Sequence, residues 1–342
     1  SECGDIIDCI DIYKQPSLKN PLLKDHIIQL KPEMEPPKIH DKLRGRNYSF
    51  PQQTWRRSGS CPEGTIPILR KPTGADDEIA NRTLPFSSYG RPTDANIQDN
   101  SNGKLEIAAA YAVNGPYHGA SAALPIWKVR VEPNEFSKNY LLIASPHERH
   151  FTPIKGKSPP DIKNQIAVGT ANDGGETSHC LNHECGFIQT NNHFALGTRF
   201  QDGDSKVGGN LYFITASLYR ATGPAVWWLA INEVALGYFD PNWFPVPFIE
   251  SFHHEMGGRV LDSRPGGRHT TTPMGSGMFP SAGLRAAFYM AVNNNGGDQL
   301  DDPINRIVTS PKCYDVKDFG WDRNRPGADV AYGGPGGADC DK

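Results

Sequence analysis

Three short clusters rich in histidine and glutamate have the residue types that bind metal ions. They lie at residues 147–150, 179–185 and 253–255. The first places two histidines three residues apart, which would share one face of a helix, but Pro146 and Pro153 disfavour a helix there. The second contains two cysteines at a spacing typical of a disulfide, and the third has no further ligand at a recognisable spacing. We therefore expect neither a metal nor another cofactor.

Carboxylates are the remaining candidates for chemistry. A serine hydrolase with a nucleophile elbow would need Gly-x-Ser-x-Gly, which the chain lacks. Paired carboxylates can hydrolyse amides or glycosides when one is held as the acid and the other as the base. The chain has 38 aspartates and glutamates, and composition alone singles out no pair among them.

The seven cysteines favour an oxidising compartment. No Cys-x-x-Cys occurs, and no four cysteines and histidines have the spacing of a zinc site. The close pair Cys180–Cys185 and the late pair Cys313–Cys340 have spacings typical of disulfides, and the alternative is a set of buried thiols in a cytosolic protein. Because seven is odd, one thiol is free or bonded to another chain, and Cys3 is the candidate.

Two glycosylation sequons support the same compartment. Asn47 begins Asn-Tyr-Ser and Asn81 begins Asn-Arg-Thr, which both match the acceptor pattern for N-glycosylation. Together with the cysteines, they predict a secreted glycoprotein.

Composition favours an all-β fold with many loops. The 342 residues include 35 glycines and 29 prolines, which cost about 1 and 3 kcal/mol respectively in helix interiors. Apolar residues make up 37% of the chain and aromatic residues 10%, enough to fill a core. The formal net charge is −3 and no run of five like charges occurs, so we expect no nucleic-acid or membrane partner.

The distribution of apolar residues divides the chain into three parts. Residues 1–73 are rich in proline and charge, which is typical of an extended arm laid over another domain. Residues 74–103 are polar and predict a linker or exposed loop. Residues 104–342 contain apolar runs of strand length between glycine or proline clusters, which predict an antiparallel β-sandwich or a barrel. These runs are Ile107–Val113, Tyr140–Ala144, Gly186–Thr190, Asn210–Tyr219, Ala225–Ile231 and Gly283–Val292.

Two segments of the third part allow more than one structure. Ile107–Trp127 is uncharged and long enough to span a bilayer, but Asn114-Gly115-Pro116 and Pro125 would break such a helix. We predict two strands of a hairpin there. The periodicity of Ala282–Val292 fits a strand or a short helix equally well.

A series of distinctive motifs runs in order over nearly the whole chain. In the N-terminal part they are Ile7–Pro16, Pro21–Lys24 and Cys61–Ile68, and in the sandwich the densest is Ser263–Gly277. Further motifs are Trp127–Val129, Pro133–Ser137, Cys185–Asn192, Trp227–Leu229, Gly237–Phe239, Cys313–Val316 and Tyr332–Gly336. Together these motifs resemble those of the plant neprosin family, with Ile7–Pro16 and Cys61–Ile68 similar to its activation-peptide region.

The resemblance implies a secreted plant protein, in the apoplast or cell wall with the vacuole as the alternative. It also implies an activation segment before an antiparallel β-sandwich. The family activity is that of a glutamic endopeptidase that cleaves after proline. Two glutamates handle a water molecule without a metal, one as the base and the other stabilising the oxyanion. The implied disulfides, which leave Cys3 over, are Cys9–Cys61, Cys180–Cys185 and Cys313–Cys340.

The chain departs from the family pattern at both glutamates. The segment around the first is shorter here, and its nearest counterpart is Glu148, with Phe151 keeping the spacing to an aromatic residue. The second glutamate follows two glycines in the family, and here Arg259 follows Gly257-Gly258. Gln189 is a further candidate for the cleft.

Arginine at this position removes a proton acceptor. A guanidinium stays protonated at any working pH, and losing a general acid or base typically costs about 10²–10⁴-fold in rate. Glu255 would lie about 13 Å away along a strand, on the same face, so only a bulge at the glycines could bring it closer. Alternatively, Arg259 could stabilise an oxyanion, with Glu148 as the sole base.

The leading expectation is a protein with a degenerate peptidase site that acts in binding, storage or structure. One alternative is an active glutamic endopeptidase present as its zymogen, with a peptide or protein substrate. Another is a carbohydrate-binding cell-wall protein in which Trp227, Trp228 and Trp243 stack on sugars. The N-terminal segment with Cys3 is the candidate surface for self-association.

Overall fold

The computed structural model describes most of the chain. The described residues are 5–23, 25–39, 48–70, 82–90, 103–112, 115–146, 162–173, 182–200, 204–221, 225–244, 247–264, 268–285, 287–293, 305–321 and 328–341. Within these ranges the fold is all-β, with strands and short 3-10 turns and no α-helix. None of the described residues forms a helix with the length and hydropathy that crossing a membrane requires.

Seventeen strands are described. They are β1 (Ile7–Asp11), β2 (Tyr48–Ser49), β3 (Thr65–Leu69), β4 (Arg82–Gly90), β5 (Lys104–Ala112), β6 (Gly119–Pro125), β7 (Phe136–Pro146), β8 (Ile162–Asp173), β9 (Ile188–Gln189), β10 (Leu211–Tyr219), β11 (Trp227–Ile231), β12 (Val234–Phe239), β13 (His253–Asp262), β14 (Ala287–Asn293), β15 (Asn305–Val308), β16 (Asp315–Trp321) and β17 (Ala328–Gly333). The 3-10 turns are Ile12–Lys14, Pro16–Lys19, Pro21–Leu23, Thr54–Ser58, Asn182–Cys185, Pro241–Trp243, Pro280–Arg285 and Ala338–Asp341.

Two large sheets form a sandwich, as the sequence predicted. One runs β15-β5-β13-β7-β8-β4, and the other runs β16-β17-β14-β6-β10-β11-β12-β9. Pairing within both is antiparallel, while the short β2 joins β10 in parallel. The glycines and prolines counted in the sequence therefore separate strands rather than helices.

The main core lies between these sheets. Strand residues alternate between faces, so every second side chain of a strand points to the same layer. Ala108, Leu141 and Val168 of the six-stranded sheet share one buried cluster with Leu218 and Trp227 of the larger sheet. Tyr140 and Leu142 belong to a separate cluster, on the face turned away from the larger sheet.

The N-terminal arm covers the outer face of the larger sheet. β1 and β3 pair with each other, and the Cys9–Cys61 disulfide links β1 to the segment just before β3. Leu23 of the arm packs with Tyr219, Trp228 and Tyr238 on that outer face. The described part of the arm thus packs on the sandwich.

The predicted hairpin between residues 107 and 127 is wrong. β5 pairs with β13 and β15 in one sheet, whereas β6 pairs with β10 and β14 in the other. The chain therefore crosses from one layer to the other between β5 and β6. Two consecutive apolar strands that face one core from opposite layers have the same sequence pattern as a hairpin.

The predicted linker at residues 74–103 also needs correction. Residues 82–90 within it form β4, which pairs with β8 over its whole length at the edge of the six-stranded sheet. The ambiguous segment 282–292 divides into a 3-10 turn, Pro280–Arg285, and strand β14. The Cys313–Cys340 disulfide is present as the resemblance implied.

Candidate active-site region

An ion pair on β13 dominates the position where the family resemblance places the second glutamate. Arg259 Nη2 lies 2.9 Å from Glu255 Oε1. Both side chains are largely buried, at 15% and 6% exposed respectively. The strand alternation puts them on the same face, turned away from the larger sheet. The cation therefore has a carboxylate partner within its own strand.

Tyr140 on the neighbouring strand β7 connects the two charges. Its hydroxyl donates a hydrogen bond to Glu255 Oε1, and the guanidinium carbon of Arg259 lies 4.3 Å from its ring centroid. Tyr140 pairs with Gly257, the residue on the same face between the two charged ones. Because Gly257 has no side chain, the tyrosine ring and the arginine can occupy the space above it.

His253 completes the set, while His254 does not belong to it. His253 Nε2 lies 3.0 Å from Glu255 Oε2, and its ring stacks on Tyr111 with centroids 5.3 Å apart. His254 alternates to the opposite face, where its ring lies 4.1 Å from that of Tyr117. The cluster of residues 253–255 therefore cannot place both histidines on one metal ion.

Close packing explains the two glycines before Arg259. A Cβ at Gly257 would lie 2.3 Å from the carbonyl oxygen of Ala108 on β5. A Cβ at Gly258 would lie 2.4 Å from Met274 Cγ on the opposite face. Contacts this short do not occur, so both positions need glycine to keep β13 against its neighbours.

The electrostatics fix the charge state of both partners. Burial alone would raise the pKa of Glu255, but the charge of Arg259 and the hydrogen bonds from His253 and Tyr140 hold it well below its usual range. Burial would lower the pKa of Arg259, but Tyr140 and Glu255 together raise it above its usual value. Burial raises the pKa of the Tyr140 hydroxyl as well.

This arrangement is poorly suited to activating water. Glu255 is a weak base because its pKa is depressed, and both of its oxygens already accept hydrogen bonds from Arg259, Tyr140 and His253. Arg259 can donate to an anion but cannot accept a proton. The chemistry left to the pair is anion stabilisation rather than general-base catalysis.

The expectation that only a bulge would bring Glu255 close to Arg259 is wrong. The register of β13 with both neighbours is continuous through the glycines, so the backbone separation is that of a regular strand. The long arginine side chain covers the distance instead, because the position between the two residues is a glycine. The spacing argument considered the backbone and left out the reach of the side chain.

Several sequence predictions lie outside the described residues. They concern the first-glutamate counterpart Glu148 with Phe151, the thiol Cys3, the Cys180–Cys185 pairing, and the sequon asparagines Asn47 and Asn81.

Gln189 is not part of this cluster. It lies on β9, in the other sheet, and is fully buried. Its backbone exchanges hydrogen bonds with the side chain of Gln15 in the arm, at 2.8 Å and 3.1 Å, as a neighbouring strand would. Gln189 therefore anchors the arm at the sheet edge and does not line a cleft with Glu255.

A second buried ionic network lies near the opposite end of β13. Ligand atoms of Glu106, Asp262 and His269 lie within 4.8 Å of one another, which would allow a divalent cation. However, Glu106 already binds His269 at 2.5 Å, Lys104 at 2.9 Å and Ser310 at 2.6 Å. These protein groups account for the cluster, and we assign no metal to it.

Sequence reasoning missed the residue that holds the densest family motif in place. Glu135 is fully buried, and its carboxylate accepts hydrogen bonds from Ser263 N, Ser263 Oγ, Thr270 Oγ1 and Thr272 Oγ1. The hydroxyl-rich run at residues 270–272 was the available signal, but the sequence does not show that its hydroxyls bind Glu135.

The tryptophans proposed to stack on sugars are mostly core residues. Trp227 is 0% exposed and Trp228 is 3% exposed. The indole of Trp243 fills the space beside Gly186, where a Cβ would lie 2.4 Å from the ring. Trp227 and Trp228 therefore cannot form a sugar-binding platform, and this alternative loses its support.

Comparison with protein families agrees with the resemblance. The model of the neprosin domain matches residues 159–335, just over half of the chain. The model of the neprosin activation peptide matches residues 1–114. The chain belongs to the neprosin family, and it is a protein of the glutamic-peptidase type by that membership.

Proposed function

We propose that this is a secreted neprosin-family protein whose peptidase site is degenerate and which serves in binding, storage or structure. The observation that carries the proposal is the buried ion pair between Arg259 Nη2 and Glu255 Oε1, 2.9 Å apart. Arg259, which the resemblance aligns with the second glutamate of the family, is a permanent cation, and it engages a carboxylate of its own strand.

The interactions of the ion pair support the proposal that β13 supplies no general base. If Glu255 acted as the base, it would have to give up hydrogen bonds from Arg259, Tyr140 and His253 before it met water. Its depressed pKa lowers its proton affinity further.

The docking of the arm supports a structural role for the N-terminal segment. Its described residues contact the outer face of the larger sheet, whereas Arg259 and Glu255 lie on the outer face of the other sheet. The described arm therefore binds on the side of the sandwich away from the ion pair. Such an arm adds buried surface to the fold. It does not need to be removed before a ligand can reach the ion pair.

A peptidase assay tests the proposal. The purified protein, with and without proteolytic removal of the arm, is incubated with a proline-rich peptide from pH 3 to pH 7. We expect no cleavage above the peptide blank at any pH. Cleavage that resists pepstatin and disappears in Glu148→Gln would contradict the proposal and favour an active glutamic endopeptidase. Glu132→Gln serves as the matched control and should leave any such cleavage unchanged, because Glu132 is 37% exposed and lies outside the ion pair.

Secretion and self-association are parts of the same proposal. The two described disulfides support an oxidising compartment. A mass decrease on enzymatic deglycosylation of the native protein, lost in Asn47→Gln and Asn81→Gln together, would support passage through the secretory pathway. A disulfide-linked dimer on non-reducing electrophoresis, lost in Cys3→Ser, would support self-association through the arm.

A further inference from the structure

A cavity of about 370 Å³ lies between the N-terminal arm and the larger sheet. Its walls come from the 51–56 segment of the arm, from residues 193–194 after β9, and from the β11–β12 hairpin at residues 231–236. Sites for small molecules typically occupy roughly 300–1,000 Å³. The space is therefore large enough for an organic ligand, and we call it the arm cavity.

Hydrogen bonds hold the arm wall of this cavity in place. Gln53 is 3% exposed, its Nε2 donates to Ala195 O at 2.6 Å, and its Oε1 accepts from Ala195 N at 2.8 Å. The same Oε1 accepts from the indole N–H of Trp55 at 2.9 Å. Next along the chain, Thr54 N donates to Arg199 O at 3.0 Å. The cavity is therefore formed before any ligand enters, provided that the arm is docked.

The hairpin wall is mostly apolar and is fixed by one asparagine. Asn232 N donates to Thr215 O at 2.8 Å, and Asn232 Oδ1 accepts from Thr215 N at 3.0 Å. Ile231 and Leu236 are buried beside it, and together with Phe194 they line the arm cavity. These side chains provide apolar contacts for a hydrocarbon group, as the walls of small-molecule sites usually do.

The charged groups around the arm cavity are basic. Arg56 and His193 line it, and no described residue of the lining is acidic. Among the described residues the half-buried Arg56 forms no ion pair, and its guanidinium carbon lies 5.3 Å from the ring centroid of Trp55. Glu233 of the hairpin is not part of the lining, and its Oε1 accepts from Ile39 N at 2.6 Å. The charge of the lining thus favours an anion.

We propose that the arm cavity binds a small organic carboxylate with an apolar body. The guanidinium of Arg56 presents paired N–H donors that match the two oxygens of a carboxylate, and the apolar walls accept the body. Because the walls come from both the arm and the sandwich, a bound ligand also holds the arm in its docked position. The site belongs to the larger sheet, whereas Arg259 lies on the other sheet, so the proposal does not depend on the peptidase assay.

Titration calorimetry of the full chain at pH 7 tests the chemistry of the ligand. The titrants are phenylacetate, its neutral isostere phenylacetamide, and acetate, which has the charge without the apolar body. We expect phenylacetate to bind, and each of the other two to bind about tenfold more weakly or less. Equal affinity for phenylacetate and either of the other compounds, or no binding of phenylacetate, would overturn the proposal.

Two variants, each with a matched control, test the position of the site. Arg56→Met removes the guanidinium and should weaken phenylacetate binding by about tenfold or more, whereas Arg306→Met on β15 should not. Val234→Asp adds a negative charge at a 43% exposed residue of the lining and should also weaken it. Its control is Val207→Asp, at a 48% exposed residue outside the lining. Unchanged binding in both Arg56→Met and Val234→Asp would overturn the assignment to this cavity.

Amide hydrogen exchange of the wild type tests the link between the ligand and the arm. At a phenylacetate concentration about 100-fold above its Kd, exchange in residues 54–59 that requires the arm to undock should slow by up to about 100-fold. Phenylacetamide at the same concentration should have a much smaller effect. Unchanged exchange in residues 54–59 at saturating phenylacetate would show that the ligand binds away from the arm and would overturn the proposal.

Discussion

Arg259 reaches back along β13 to Glu255, with Nη2 2.9 Å from Oε1, over a glycine that leaves the space between them open. The two charges, with Tyr140 and His253, form a buried network on the outer face of the six-stranded sheet. A site that activated water would instead need a carboxylate with a free lone pair and a pKa closer to the working pH. The network therefore supports the proposal that this strand supplies no general base.

Removing one partner of the ion pair should cost much more stability than removing both. Arg259→Met leaves the buried Glu255 without its cation, and we expect a loss of about 3–5 kcal/mol at pH 7. Glu255→Leu combined with Arg259→Met should recover most of that loss, because no unpaired charge is left. Urea unfolding of the two single variants and the double variant measures this coupling. Additive losses would contradict a direct interaction.

The same pair should set the acid stability of the sandwich. The pKa of Glu255 is lower in the folded protein than in the unfolded chain, where it is about 4.3. The stability it contributes is therefore fully present above about pH 4.3 and is lost as the pH falls through the folded pKa. Arg259→Met removes the main cause that lowers this pKa and leaves burial, which raises it, so protonation of Glu255 should favour the folded variant. The stability that the variant loses at pH 7 relative to the wild type should therefore become smaller as the pH falls to about 4. An equal difference in urea unfolding free energy at the two pH values would show that the charge state of Glu255 does not depend on Arg259.

Glu135 should be essential for the segment that carries the densest family motif. Glu135→Gln keeps the shape but replaces one acceptor oxygen with a donor, so hydroxyls of the 263–272 segment lose their acceptor. We expect a loss of about 1.5–3 kcal/mol by urea unfolding. Glu132→Gln is the matched control, since Glu132 is 37% exposed and its pair with Arg264 should be worth about 0–1 kcal/mol. Equal losses would mean that the buried carboxylate does not organise the segment.

His26 should hold the arm on the sheet in a manner that depends on pH. It contacts Asp240 at 3.0 Å and the Tyr238 hydroxyl at 2.7 Å. The hydrogen bond from His26 lowers the pKa of Asp240, so this contribution is present above about pH 3.9 and is lost as the pH falls through the lowered value. His26→Ala should speed amide hydrogen exchange in residues 15–29 by roughly 5- to 150-fold at pH 7, equivalent to about 1–3 kcal/mol.

A control variant distinguishes the effect of His26 from that of removing any histidine side chain. His193→Ala removes an exposed imidazole whose hydrogen bond, among the described residues, is a local one to Asn191. It should leave exchange in residues 15–29 unchanged. Equal acceleration in both variants would show that the arm is not held through His26.

The fold class could be predicted from the sequence because each apolar run of the sandwich had strand length and was bounded by glycine or proline. The layer to which a strand belongs could not, since β5 and β6 face one core from opposite sheets and both appear as apolar runs. The polar composition of residues 74–103 concealed β4, because an edge strand needs few large apolar side chains.

The candidate site was only half predictable. The glycine pair identified the position of Arg259 in the sequence. Close neighbours require glycine at both positions of the strand, so the pair can be recognised without the structure. The partner set was not predictable, because Tyr140 begins an apolar run that has the pattern of a core strand. Tyr111 and Tyr140 come from β5 and β7, and only the register of β13 with these two strands brings them to the ion pair.

The most direct measurement is the peptidase activity of Arg259→Glu against that of the wild type and Arg259→Lys, with the arm removed, on one proline-rich peptide from pH 3 to pH 7. The wild type and the lysine variant should be inactive. Arg259→Glu should gain a hydrolysis rate at acid pH of at least 100-fold over both, since it puts a carboxylate at the position that the resemblance assigns to the second glutamate. Turnover by the wild type that falls in Arg259→Glu would contradict the account.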